Sequence, residues 1–252
     1  MGLALEEREA AMREALGLDA GAPLLADEAR ERASRIEPSE HLDYFEIEWH
    51  VIPSADALPF DDSYVERFYP TAPRDFAQPR LHAPSYRDAF AAGHGKHQGQ
   101  LVGVEKTLKP RYLPGNRQFY GTPYGHDPSA DPFNPYMGRA GMLNGTRYAH
   151  NYLSLREFVR VVNDDWRAHR LLPEGYRTTI CPPVIFNLVG TLFHPEWSET
   201  ETLELGFYRD DEGNATCYAV GSNAPRDFSY VNEVEVETDW TLLGFRTALV
   251  PE

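Results

Sequence analysis

Lysine is nearly missing from this chain of 252 residues: Lys96, Lys106 and Lys109 stand against 21 arginines. With 24 basic and 39 acidic residues the net charge is −15. General phosphate-backbone binding and docking on anionic lipid both need clustered cations, so this balance argues against nucleic acid and membrane surfaces as partners. The arginine bias fits a GC-rich coding sequence first, and desolvated bidentate interface contacts second. Cysteine is equally scarce. Cys181 and Cys217 form no CxxC pair, which excludes a zinc knuckle. Both lie in apolar, strand-like stretches and are expected as buried free thiols, in keeping with a reducing compartment. No apolar run approaches the roughly 18 residues of a transmembrane helix. The first 15 residues are charged, without an apolar h-region, so no secretory leader is expected. The expected location is the cytoplasm or an assembled particle. Nucleophile elbow, P-loop, dinucleotide fingerprint and solenoid repeat are all absent.

Several elements are nonetheless legible. Residues 3–16 are rich in Ala, Leu, Glu and Arg and read as a helix closed by Gly17; a second helix spans 25–35. Their apolar stripes are narrow, so this arm, residues 1–38, is expected to cover a neighbouring chain. Residues 44–52 alternate as a strand. Phe45, Ile47, Trp49 and Val51 take the core face; Tyr44, Glu46, Glu48 and His50 take a solvated one. Residues 154–171 form an amphipathic helix, with Ser154 and Glu157 at capping-box spacing and Pro173 and Gly175 ending it. From 177 to 250 the pattern is an antiparallel meander, including a hairpin around residues 210–214.

The stretch 53–146 has a different texture, holding 12 of the 20 prolines and 10 of the 19 glycines. Gln100 to Thr107 reads as its strand and 85–92 as a short helix. Such long irregular runs are rare in compact domains unless functional, disordered or bound to something. The aromatics argue against disorder, so the segment is expected to be ordered against partner chains. Tyr69, Phe76, Tyr120, Tyr124, Phe133 and Tyr136 are the expected interface anchors.

Three groups carry candidate chemistry. His94, His97 and His126 with Asp127 could hold iron or zinc, although Gly93, Gly95 and Gly99 oppose a helix that would align the first pair. Glu46, Glu48 and His50 share a strand face and could serve as a general acid–base set, although alternation alone produces this pattern. His194-Pro-Glu196-Trp197 closes an apolar stretch and faintly resembles part of a metal-binding barrel, without the paired His-x-His such a site uses.

The expected fold is therefore α+β: an N-terminal helical arm, then one domain over 39–252 with the irregular insertion 53–146. One amphipathic helix packs on a C-terminal antiparallel sheet. The expected role is a structural subunit of a large assembly, such as a bacteriophage-like virion or tail component, binding other protein chains including copies of itself. No cofactor, bound metal or catalytic set is expected. The alternative is an enzyme of small-molecule metabolism with a histidine-lined, metal-dependent pocket.

Overall fold

The computed structural model describes residues 5–19, 23–70, 91, 93, 96–107, 112–113, 117–118, 131–142, 147–199, 203–209, 215–221, 227–239 and 243–252. The fold is α+β, with two four-stranded sheets among the described residues. The N-terminal helices α1 (Leu5–Leu16) and α2 (Asp27–Ser34) form where the composition favours them. Glu6 and Glu7 begin α1, Arg13 lies in its last turn, and Gly17 follows at a φ of +69°. Arg67 donates to the carbonyls of Ala15 and Leu16, satisfying acceptors that the helix end leaves open. The arm does not project toward a neighbour. α1 lies on β1 and α2 on β2, with Leu5, Met12, Leu16, Ala29 and Ala33 buried in the chain's own core.

A short helix α3 (Glu40–Tyr44), capped by Ser39, turns through Glu46 at a φ of +53° into strand β1 (Ile47–Ile52). β1 pairs antiparallel with β2 (Gln100–Glu105). The first sheet then runs β1-β2-β10-β5, where β5 is Tyr176–Ile180 and β10 is Thr247–Pro251; every pairing is antiparallel. Gly103 in β2 is required by close packing: a Cβ there would come within 2.7 Å of Ile47 Cγ2 and 3.2 Å of Leu249 Cβ. A two-residue pair, β3 (Tyr112–Leu113) with β4 (Arg117–Gln118), stands apart. The second sheet runs β8-β7-β6-β9: Tyr230–Val234, Ala215–Gly221, Leu203–Arg209 and Leu243–Gly244. β6 and β7 pair with Arg209 opposite Ala215, the register expected of the hairpin around 210–214, while β9 joins β6 in parallel. The expected single C-terminal sheet is thus two, because β5 and β10 complete the N-terminal pair instead.

Two helical expectations need correction. α6 (Tyr152–Ala168) starts earlier than expected: Asn151 is the cap and Ser154 its reciprocal partner, so the capping box is Asn151–Ser154 rather than Ser154–Glu157. It also ends before Pro173, in a turn that places Arg170 at a φ of +56°. The second correction concerns the apolar run after Ile180, which is not a strand. Pro183 opens a helix, α7 (Pro183–Leu192), at a position where the missing N–H costs nothing. Residues 183–190 are all buried, so no amphipathic period betrays the helix in the sequence. α7 contacts β6, β7 and α4 (Asp62–Phe68); the Asn187 side chain donates to the carbonyls of Phe68 and Phe228. The short helix expected over 85–92 lies outside the described residues at all but Ala91.

α6 packs on β5, as the helix-on-sheet reading requires. Phe158 is fully buried, 5.1 Å from the Phe245 ring and 5.7 Å from Phe133. Trp166 instead packs under α3 and α5 (Asn134–Arg139), against His41, Phe45 and Phe133. Asn163 presents its amide to strand β5, donating to the Thr178 carbonyl at 2.9 Å and accepting from the Thr178 N–H at 2.7 Å. Beneath these rings lies a buried ionic cluster. Arg147 donates to both oxygens of Asp131 and both oxygens of Glu105, at 2.6 to 2.9 Å. Arg246 donates to Glu204 and to the carbonyls of Glu105 and Thr107.

Candidate metal centre

The polar face of β1 is not solvated. α1 crosses it from one side, and the segment after α7 closes it from the other. His50 is 3% exposed, with its ring 5.0 Å from Phe193 and 5.9 Å from His194. Beyond α7 the chain enters a 3-10 turn, Pro195–Glu199, which holds His194 stacked on Trp197 at 4.5 Å and 7° between planes. The far side of Trp197 is covered by the Arg246 guanidinium, 3.8 Å from the ring centre. His194 is therefore braced by an aromatic wall that is itself tied to the buried ionic cluster.

Three ligand-type side chains meet at this point. Glu48 Oε2 lies 3.6 Å from His194 Nε2, Glu48 Oε1 lies 3.9 Å from His50 Nε2, and the three donor atoms all fall within 4.8 Å of one another. Both Nε2 atoms are buried and make no hydrogen bond. His194 Nδ1 sits 2.8 Å from Glu196 Oε1, a contact that requires a proton on Nδ1 and leaves Nε2 as a bare lone pair in the neutral ring. Burial pushes His50 down to about 3, so that ring is neutral as well. Glu48 is ionised: the His194 imidazole, ahead of an opposing contribution from burial, holds its carboxyl down to about 2. Arg8 from α1 donates to Glu48 Oε1 at 3.1 Å from the exposed rim.

An anion and two neutral imidazoles thus converge with lone pairs inward. Ligands on one ion with bonds near 2.1 Å stand roughly 3.0–3.5 Å apart, so side-chain movements of about an ångström would close the set. The Glu196–His194 contact has the form of the carboxylate that orients a metal-bound histidine.

Comparison with family models, curated proteins and solved structures finds no match to this chain.

The sequence candidates are redistributed by the fold. Glu48 and His50 do share the site, but Glu46 does not belong to it; it occupies the left-handed turn before β1, where burial and then Glu105 raise its carboxyl. His97 is outside the group and lines a different cavity; His94, His126 and Asp127 lie outside the described residues. Tyr69, Phe133 and Tyr136 are buried in the chain's own core, which removes these three from the expected interface set, and Phe76, Tyr120 and Tyr124 lie outside the described residues. His194 and Glu196 were visible as a local pattern. Joining them to Glu48 and His50 required knowing that 183–192 is a helix, which delivers His194 to the strand rather than away from it.

Proposed function

We propose that this chain is a metal-dependent protein, holding one divalent first-row transition ion through Glu48, His50 and His194. The observation that carries this reading is the pair of buried, unbonded Nε2 atoms facing a single carboxylate. Two histidines and one carboxylate leave coordination positions open, the arrangement of catalytic zinc and non-haem iron sites rather than of a closed structural one. An ion there would act as a Lewis acid on a water or an oxygen-bearing substrate. The reading departs from the metal-free expectation and uses a different residue set from the glycine-loop histidines.

Metal analysis after dialysis against zinc, ferrous iron, manganese and cobalt in turn tests it. One equivalent of zinc or iron should be retained, and the cobalt form should show visible ligand-field bands. The double variant His50→Ala/His194→Ala should retain none. Wild-type protein that keeps less than about a tenth of an equivalent of every metal would overturn the proposal.

An assembly subunit, the role suggested by 53–146, is left with less support. Half of its anchor rings are spent inside the chain, and among the described residues only Tyr44 and Leu153 expose a large apolar side chain. A solution mass corresponding to many copies would restore it.

A further inference from the structure

A second site follows from charge placement and does not rest on the metal reading. A cavity of about 550 Å³ opens between α6, the β5–β10 edge and the end of β6. Four of its thirteen lining residues are cationic, Lys96, Arg156, Arg160 and Arg177, and one, Glu252, is acidic. The chain as a whole carries 24 basic and 39 acidic residues, so composition alone would place acids in excess here. Glu252 is itself engaged by Arg167, and Arg160 is held by Glu157 and Asp164. Arg156, on the exposed face of α6, and Arg177, on β5 opposite Val250, therefore present the reading charges from two elements that α6–β5 packing holds together. Thr179 adds a hydroxyl on the same strand, while Val159, Phe207 and Val250 supply an apolar floor.

We infer that this cavity binds a small organic anion: a carboxylate or phosphate monoester head on an apolar body. Two arginines from different elements can grip such a head in the bidentate manner lysine cannot. The volume falls in the range of small-molecule sites, and an apolar floor with a few convergent polar groups is their usual lining. A bare inorganic anion would leave the floor unused, and a neutral ligand would leave the cations unanswered.

Calorimetric titration with 3-phenylpropionate, phenyl phosphate, 3-phenylpropanol and inorganic phosphate tests the inference on wild-type protein and on Arg156→Gln/Arg177→Gln. Both aromatic anions, or one of them, should bind at least ten-fold tighter than the alcohol and than inorganic phosphate. The double variant, with an unchanged thermal transition, should lose that preference. Equal binding of acid and alcohol, binding of inorganic phosphate alone, binding of no probe at 10 mM, or an unaffected variant would each overturn it. Should the double variant fail to fold, Arg177→Lys replaces it: the charge remains, and a bidentate grip predicts at least a five-fold loss of affinity.

Discussion

Replacing Arg147 by methionine tests the buried cluster directly. The guanidinium is 2% exposed, donates to both oxygens of Asp131 and both of Glu105, and lies between the rings of Phe133 and Phe245 at 5.2 and 5.1 Å. Methionine keeps much of the packing but strands two buried carboxylates. Removing one partner of a buried ion pair costs about 3–5 kcal/mol, because the remaining charge is desolvated without compensation. Glu105 retains hydrogen bonds from Thr107 and from the Thr247 N–H, which places the expected loss toward the lower end of that range. Acidification gives the sharper readout. Burial alone would raise the Glu105 carboxyl, but Arg147 reverses this and holds it below the usual carboxylate range. The wild type therefore carries stability that is present above about pH 4.3, the unfolded value, and is lost as pH falls through the folded value. In the variant the sign changes. With Arg147 gone, burial raises the carboxyl, and the penalty is relieved as it takes up a proton. The stability gap measured by urea unfolding should be largest near pH 7 and shrink toward pH 4. A gap below about 1 kcal/mol at pH 7, or one that widens on acidification, would refute the reasoning.

Further consequences can be measured independently. Phe158→Ala should cost about 3–5 kcal/mol in the same unfolding assay, since the ring is fully enclosed between α6, Phe133 and Phe245. Glu196→Gln should weaken zinc affinity about 10–100-fold without abolishing stoichiometric loading, as expected for a group that orients a ligand without being one. Cys181 and Cys217 are free and buried, and burial pushes the Cys217 thiol up to about 12, so native protein should show no thiol reactive toward Ellman's reagent and denatured protein two.

How much of this was legible in the sequence depended on whether local pattern and tertiary burial agree. The strand 47–52 and the helix around 154–168 declared themselves because one face is apolar and the other polar, the condition under which periodicity carries information. Pro183–Leu192 is buried on every side, so its residues obey no period, and Pro183 was the remaining clue to its start. The same misreading hid the site. A strand ending at His194 would carry that ring away from β1, whereas a helix folds it back beside Glu48 and His50. Glu46 was misplaced for a backbone reason, since alternation cannot anticipate a left-handed residue at the strand's entrance. The expected outward use of Tyr69, Phe133 and Tyr136 failed because the irregular segments build core of their own beneath α4 and α5.

Arg246 stands where the chain crosses from β9 in one sheet to β10 in the other. One branch of its fork is anchored to Glu204 on β6, and the other to the carbonyls of Glu105 and Thr107 at the end of β2. Hinging one sheet away from the other would pull this cation out of its acceptors while it was still shielded from water. The two layers are thereby locked into a single mechanical unit. Adaptation to a ligand then falls to the connecting loops and to side chains at the rim such as Arg8, and His194, riding on Trp197 against that same cation, inherits the rigidity of the lock.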